Sequence, residues 1–232
     1  MSTVLFWFRN DLRLHDQPAL RAALTSGATR LLPVVCLPAP DEPTPWGFAR
    51  VGAHRRAFTA AALRGLQGQM STLGNPLLIC QAPPATALPR LAQAVGATTV
   101  VCEDIAAPYE QAEVAALRAA GLQVRTVWHS SLLPPARMPW AVDQLPGVFT
   151  TFRQKVERAG ITPAAPLPAP AKLLPPPELP ATVLQAVGAE QGAASIQQAP
   201  PQQGSDARSS FPYGTPACDG SEAAALAHLA QY

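Results

Sequence analysis

Five short apolar segments, separated by stretches with helical spacing, constrain most strongly what this chain folds into. Their residues are continuous rather than alternating, as in strands that are buried on both faces of a parallel sheet. A repeated strand–helix–strand pattern predicts a parallel sheet with right-handed crossover connections and with helices on its faces. The sequence therefore predicts an α/β fold with a five-stranded parallel, Rossmann-like, doubly wound sheet. The predicted strands are Val4–Phe8, Leu31–Leu37, Pro76–Cys80, Thr98–Cys102 and Leu122–Trp128.

The intervening stretches predict four helices. A glycine falls just past the end of each one, where a left-handed residue commonly closes a helix. Farther along, Phe149–Arg158 has an amphipathic pattern that predicts another helix. The four helices are predicted at Pro18–Ser26, Val51–Leu73, Ala85–Val95 and Tyr109–Ala120, with the glycines at 27, 74, 96 and 121.

The remainder of the chain has a different composition. Residues 1–158 carry 15 Lys and Arg against 10 Asp and Glu, a net charge of +5, whereas the rest carries 2 against 5, or −3. Eight prolines lie within Ile161–Pro180, and proline-, alanine- and glutamine-rich sequence is typical of a linker. We therefore expect an α/β domain at 1–160, a linker at 161–210 and the start of a helical domain at 211–232, where Ser221 is a predicted N-cap.

Several classes of site are disfavoured by missing motifs. The sequence has no GxGxxG, GxxxxGK[ST], GxSxG or HExxH pattern, and we assign no catalytic residue. Its four cysteines and four histidines lack metal-ligand spacing, which predicts buried reduced thiols and no metal ligands. No stretch approaches the ~18 apolar residues of a membrane span, and the first apolar run is too short for a signal peptide. These features predict a cytoplasmic location.

The loop after the first strand is a candidate structural element or ligand wall. In RNDLRLHD, two arginines alternate with two carboxylates, at Arg9, Asp11, Arg13 and Asp16. Arginine forks pair with carboxylates, and such pairs would fix the loop at the sheet edge. The alternative is that the loop lines a ligand site, because open parallel sheets bind ligands beyond the carboxyl ends of their strands.

Acidic and aromatic residues occur in two other loops at this predicted edge. Glu110 and Glu113 fall in the first turn of the fourth predicted helix, where carboxylates complement the helix dipole. The alternative is that a carboxylate there accepts hydrogen bonds from an amino-heterocycle such as a pterin. Trp46 and Phe48 either pack against the domain or stack on a planar ligand.

Four segments together resemble the DNA photolyase and cryptochrome family. LFWFRNDLRLHDQPAL resembles its opening strand and loop, and WGFARVGAHRRAFTAAALRGLQGQM looks like a signature of its DASH cryptochrome branch. LPGVFTTFRQKVE is similar to the segment that closes the amino-terminal domain. DARSSFPYGTPACDGSEAAALAHLAQY is similar to the stretch that leads into the helical domain.

The resemblance implies a function in light harvesting. Family members hold an antenna pigment against the α/β domain, commonly a reduced folate such as methenyltetrahydrofolate. Their helical domain carries FAD, binds DNA and repairs pyrimidine dimers with blue light. By this resemblance, Glu110 and Phe48 are expected near the pigment, and Phe149 and Arg153 are expected to face the helical domain.

The resemblance stops at Tyr232, so the FAD domain is expected to be missing and the chain alone to be inactive as a deoxyribodipyrimidine photolyase. DNA would then be contacted only through the missing domain. Two alternatives remain open. One is a cofactor-free module that docks on a separate helical partner, and the other is a nucleotide-binding α/β protein.

Overall fold

The computed structural model describes residues 2–37, 46–48, 51–190 and 219–231. Five parallel strands occur where the sequence predicts them, joined by four helices. The strands are β1 Thr3–Phe8, β2 Arg30–Cys36, β3 Leu78–Cys80, β4 Thr99–Asp104 and β5 Gln123–Trp128. The helices between them are α1 Pro18–Leu24, α2 Ala53–Thr72, α3 Pro84–Val95 and α4 Pro108–Ala119.

The strand order is β5-β4-β1-β2-β3, and a short antiparallel strand, β6 Ala189–Glu190, extends the sheet beyond β3. The first connections lead from β1 to β2 and β3, and the later ones to β4 and β5 on the other side of β1. The order therefore reverses between β1 and β4. In open α/β sheets, ligands bind outside the carboxyl ends of the strands at such a switch point. The predicted five-stranded parallel sheet is confirmed, with β6 as an addition.

Alternate residues of β1 face two separate cores. Phe6 and Phe8 point into one core with buried residues of α1 and α2, and their rings meet edge to face at 4.6 Å. Leu5 and Trp7 point into the other core with buried residues of α3 and α4. The helices thus cover both faces of the sheet, and this explains why β1 is apolar at consecutive positions.

The predicted closing glycines all have positive φ angles, at 27, 74, 96 and 121. At Gly96, φ is 64°, and the residue closes α3 by donating its N–H to Gln93 O. Beyond β5, helix α5 spans Phe149–Arg158, as the sequence predicts. The next two helices are α6 Ala181–Ala186 and α7 Glu222–Leu229. Ser221 caps α7 by accepting the N–H of Ala224, as predicted.

Residues 161–190 of the predicted linker pack along the α/β domain. The Leu173 side chain is 4% exposed and belongs to the core under α1 and α2. Asn75 donates from Nδ2 to Leu31 O and to Leu174 O, both at 2.8 Å. Strand β6 then pairs with β3. Proline-rich sequence here forms an ordered strap whose backbone carbonyls are bound by the domain, and residues 191–210 lie outside the described part.

The described cysteines Cys36, Cys80 and Cys102 are free thiols, and the last two are buried. Burial raises the pKa of Cys102 to about 12, so this thiol stays protonated at neutral pH. Cys218 lies outside the described residues. Among the described helices, none is long and apolar enough to cross a bilayer. A cytoplasmic location stays a prediction.

Candidate functional site

Polar side chains converge where the sheet order reverses. Arg9 and Asp11 follow β1, Glu103 lies near the end of β4, and His129 follows β5 directly. Because β1, β4 and β5 are parallel neighbours, their carboxyl ends meet at one edge. The amino-terminal turn of α4, which holds Glu110, begins at the same edge.

Arg9 joins the loop after β1 to helix α4. Its guanidinium lies over the Trp7 ring at 4.5 Å and donates to Glu113 Oε2 at 2.7 Å. It also donates to the backbone oxygens of Glu110 at 2.9 Å and Glu103 at 3.4 Å. The Arg9 side chain is only 3% exposed, and that of Glu113 is 21% exposed. Arg9 therefore pairs with α4, and the pairing predicted within its own loop is wrong for this residue.

Arg13 and Asp16 shape the rest of this loop through backbone contacts. The Arg13 guanidinium donates to the carbonyl oxygens of His15 and Asp16. Asp16 has a positive φ of 49°, and its Oδ1 accepts the N–H of Leu167. The loop is thus fixed at the sheet edge, as expected of a structural element, although carbonyls rather than carboxylates receive the Arg13 guanidinium.

Asp11, Glu103 and His129 form a buried cluster. Asp11 Oδ2 lies 3.0 Å from His129 Nε2, which is also 3.8 Å from Glu103 Oε1. The side chains are 2%, 9% and 6% exposed for Asp11, Glu103 and His129. Gln17 Nε2 donates to Asp11 Oδ2 at 2.6 Å, and Ser130 Oγ donates to Glu103 Oε1 at 2.9 Å. Three strand ends are therefore tied together by one hydrogen-bonded network.

The two carboxyl groups of this cluster have pKa values shifted in opposite directions. Burial alone would raise the pKa of Asp11, but hydrogen bonds from His129, the Arg9 N–H and Gln17 outweigh burial and lower it. Burial, reinforced by the nearby charge of Asp11, raises the pKa of Glu103. Asp11 is thus held as the anion, whereas the ionised form of Glu103 is disfavoured.

Glu110 and Glu113 have different environments although one helical turn separates them. Glu113 is neutralised by Arg9. Glu110 contributes only its backbone oxygen to Arg9, and its half-buried carboxylate makes no hydrogen bond or ion pair within the described part of the chain. An unpaired acceptor at the positive end of α4 is suited to bind a ligand that donates hydrogen bonds.

Trp46 and Phe48 are exposed aromatic residues in the short described segment 46–48. Their exposed fractions are 77% and 61%, and their rings stack with centroids 6.1 Å apart. These fractions show that neither side chain is buried in the domain core, as packing into the domain would require, and the two rings contact each other. Large exposed aromatics can stack on a planar ligand.

Exposed apolar side chains lie at the start of helix α5, whereas Val156 farther along its apolar face is buried. Phe149 is 74% exposed, and Val148 before it is 63% exposed. The Arg153 side chain is 56% exposed and makes an ion pair with Glu157 at 3.6 Å. This surface is available for contact with another domain or protein. The expected domain-interface role of Phe149 and Arg153 stays a prediction.

Sequence reasoning missed the cluster around His129. The predicted ligand residues follow the first, second and fourth strands, and the histidines lack metal-ligand spacing along the chain. The available signal was that His129 is the first residue after the fifth strand. Parallel strands bring such residues to the same edge whatever their separation in sequence.

A shallow depression of about 460 Å³ lies at a different place, beside the first residues of β4 and β5. Its lining includes Thr99, Gln123 and the charged residues Arg118 and Arg125. None of the predicted site residues contributes to it.

Comparison with known proteins agrees with this topology. The family model described as DNA photolyase matches residues 4–171. A DASH cryptochrome from Gloeobacter violaceus is 36% identical over 189 residues, which cover 75% of this chain and 36% of the relative. A solved cryptochrome structure from Synechocystis superposes with a TM-score of 0.71 at 32% identity, covering 78% of this chain and 38% of that one.

A bacterial class III photolyase from Agrobacterium tumefaciens superposes with a TM-score of 0.63 at 28% identity, covering 78% of this chain and 36% of that one. The chain thus spans well under half the length of these relatives. The sheet order and the family match point to the same conclusion. The chain belongs to the DNA photolyase family, where it corresponds to the amino-terminal α/β domain and has DASH cryptochromes among its relatives.

Proposed function

We propose that this chain is the light-harvesting portion of a DASH-type cryptochrome or photolyase. In this proposal a reduced folate, such as methenyltetrahydrofolate, binds at the carboxyl edge of the sheet. The observation that carries the proposal is the carboxylate of Glu110 beside the switch point, which has no partner among the described residues. Its neighbour Glu113 already forms an ion pair with Arg9, so its carboxylate is less suited to bind a ligand.

The chemistry of a reduced folate matches these residues. The pterin ring of a folate carries an amino group and ring N–H donors, and a carboxylate accepts such hydrogen bonds with added strength from its charge. The flat ring also suits the exposed faces of Trp46 and Phe48. Glu110 would orient the pterin, and Phe48 would stack against a ring face and shield it from water.

The exposed surface at the start of α5 supports a place beside a helical domain. Phe149 and Arg153 would then contact an FAD-binding domain of the kind that the family carries, and DNA would be bound through that domain. The alternative hypothesis, a cofactor-free interaction module, would use the same surface of α5 to dock on its partner. It leaves the unpaired Glu110 carboxylate without a role, and the relatives give no support to the nucleotide-binding alternative.

A pigment titration tests the proposal. The purified chain is mixed with methenyltetrahydrofolate in dim light, and binding is followed by pigment fluorescence and by equilibrium dialysis. We expect Glu110→Gln to weaken binding by about 10- to 100-fold, since a hydrogen bond to a charged group contributes about 1.5–3 kcal/mol. Phe48→Ala should weaken it by about 5- to 100-fold, as loss of base stacking on an aromatic costs about 1–3 kcal/mol.

Asp143→Asn is the matched control, because this carboxylate is exposed and lies in the short turn Val142–Gln144 outside the site. It should bind the pigment like the unmodified chain. No binding at millimolar pigment would reject a pigment-binding role for the isolated chain. Equal binding by the chain and by Glu110→Gln would reject the assigned site.

A further inference from the structure

The Asp11, Glu103 and His129 cluster contains two carboxyl groups and one basic group. Within the described part of the chain, His129 is the sole ion-pair partner of either carboxylate. With both carboxylates ionised, the cluster carries a net charge of −1 when the imidazole is protonated and −2 when it is neutral. Arg9 does not compensate this charge directly, because its side-chain ion pair is with Glu113. Buried charge of this kind requires a counter-cation or a bound proton.

A second, independent observation concerns unused ligand atoms. Glu103 Oε1 accepts the Ser130 hydroxyl, whereas Glu103 Oε2 is buried and has no hydrogen-bond partner among the described residues. The Glu103 carboxylate faces His129, and its side chain is only 9% exposed. A buried carboxylate oxygen without a partner is costly unless something binds it.

The separations between donor atoms fit a small tetrahedral metal ion. Zinc binds nitrogen and oxygen ligands at about 2.1 Å, so adjacent ligand atoms of a tetrahedron lie about 3.4 Å apart. The observed separations from His129 Nε2 are 3.0 Å to Asp11 Oδ2 and 3.8 Å to Glu103 Oε1, which bracket that value. One donor atom from each residue lies within 4.8 Å of the others. The two separations from His129 Nε2 each differ from the tetrahedral value by about 0.4 Å.

We propose that Asp11, Glu103 and His129 bind a divalent transition-metal ion of the zinc class. The ion would occupy the place of the proton between His129 Nε2 and Asp11 Oδ2, and two carboxylates would neutralise its charge. The site offers one imidazole nitrogen and only two carboxylates. This set favours zinc over magnesium or calcium, which prefer six or more oxygen ligands. The site would join the ends of β1, β4 and β5 and leave a coordination position open.

Neighbouring residues already orient the two proposed carboxylate ligands. Gln17 Nε2 and the Arg9 N–H donate to the two oxygens of Asp11, at 2.6 and 3.0 Å. Ser130 Oγ donates to Glu103 Oε1. Hydrogen bonds of this kind fix ligand orientation in metal sites, and their removal typically weakens metal affinity by about 10- to 100-fold.

The test is a zinc titration of the full chain after its treatment with a chelator. Calorimetry measures the binding, and thermal unfolding measures the effect of zinc on stability. We expect one equivalent to bind and to raise the unfolding temperature. Asp11→Asn and His129→Gln should abolish this binding, whereas the control Glu157→Gln, an exposed carboxylate on α5, should bind like the unmodified chain. Absence of zinc binding by the unmodified chain, or unchanged binding by both ligand variants, would overturn the proposal.

Two further measurements keep the proposal testable if a ligand variant fails to fold. Ser130→Ala changes an exposed residue and should weaken zinc binding by about 10- to 100-fold. Unchanged affinity in Ser130→Ala would contradict the assigned ligands. Cobalt(II) as the probe should give visible bands of nitrogen and oxygen coordination. A thiolate-to-metal absorption band would instead place the ion at the cysteines and overturn the assignment.

Discussion

The two glutamates of helix α4 offer a matched pair of substitutions, of which one should lower stability and the other should leave it nearly unchanged. Glu113→Gln leaves the Arg9 guanidinium, which is 3% exposed, without its ionic partner at 2.7 Å. Glu110→Gln changes a carboxylate with no side-chain bond within the described residues. Both replacements keep the side-chain size, and both positions lie near the start of the same helix.

The expected loss for Glu113→Gln follows from this geometry. A hydrogen bond to a charged group contributes about 1.5–3 kcal/mol, and breaking a fully buried ion pair costs about 3–5 kcal/mol. Glu113 is 21% exposed, and glutamine can still accept one hydrogen bond, so the lower range applies. We expect a loss of about 2 kcal/mol, or about 4–8 °C in unfolding temperature for a domain of this size.

The assay is thermal and urea unfolding of both variants beside the unmodified chain, followed by circular dichroism. Glu110→Gln should unfold within about 0.5 kcal/mol of the unmodified chain, as expected for a change away from packed or paired groups. Equal stability of Glu113→Gln and the unmodified chain would refute the assignment of Arg9 to α4. A larger loss in Glu110→Gln than in Glu113→Gln would refute the distinction between the two carboxylates.

Three other perturbations follow from the same structure. Because burial and Asp11 raise the pKa of Glu103 in the folded protein, stability should fall as pH rises from about 4.3 through that raised pKa. In urea unfolding with chelator present, Glu103→Gln should remove this dependence, and a pH-independent difference between the two proteins would contradict it. Asn75→Ala should cost about 1–3 kcal/mol and speed proteolysis within 161–190, and an unchanged cleavage rate would contradict the packed strap. Glu222→Gln should speed amide hydrogen exchange at Leu14 and His15, whose N–H groups donate to the Glu222 carboxylate. Unchanged exchange there would show that this contact does not hold the start of α7.

Most of the sheet could be predicted because its signals are local. Continuous apolar runs such as Val4–Phe8 give β1 two buried faces, and a glycine such as Gly96 ends a helix through its own backbone. The signal for the start of α7 is also local, since Ser221 caps the helix by accepting the N–H of a residue three positions later. Each of these features depends on a few adjacent residues.

The strap at 161–190 could not be predicted from composition. Proline-rich sequence resembles a linker because it lacks N–H donors and helical periodicity. Its carbonyl oxygens remain good acceptors, and Asn75 and Arg30 donate to those of Leu174 and Pro176. The order of this segment comes from donors in distant parts of the chain, which composition does not reveal.

The candidate site was predicted in part for a related reason. Glu110 was singled out by its place at a helix start, but its difference from Glu113 depends on which carboxylate Arg9 reaches. The alternation of arginines and carboxylates in the loop suggested pairing within the loop. In the structure, Arg9 pairs with Glu113 of α4 instead. His129 reaches Asp11 only because the sheet order places β4 between β1 and β5 and brings all three strand ends together.

The most direct test of the proposed function is to map where the pigment binds. Amide chemical shifts of the isotopically labelled chain are recorded while methenyltetrahydrofolate is added. We expect the largest changes at residues 9–17, 46–48 and 103–113, with Arg9, Phe48 and Glu110 among them. Changes confined to the depression lined by Arg118 and Arg125 would contradict the proposed site. An unchanged spectrum at millimolar pigment would contradict pigment binding by this chain.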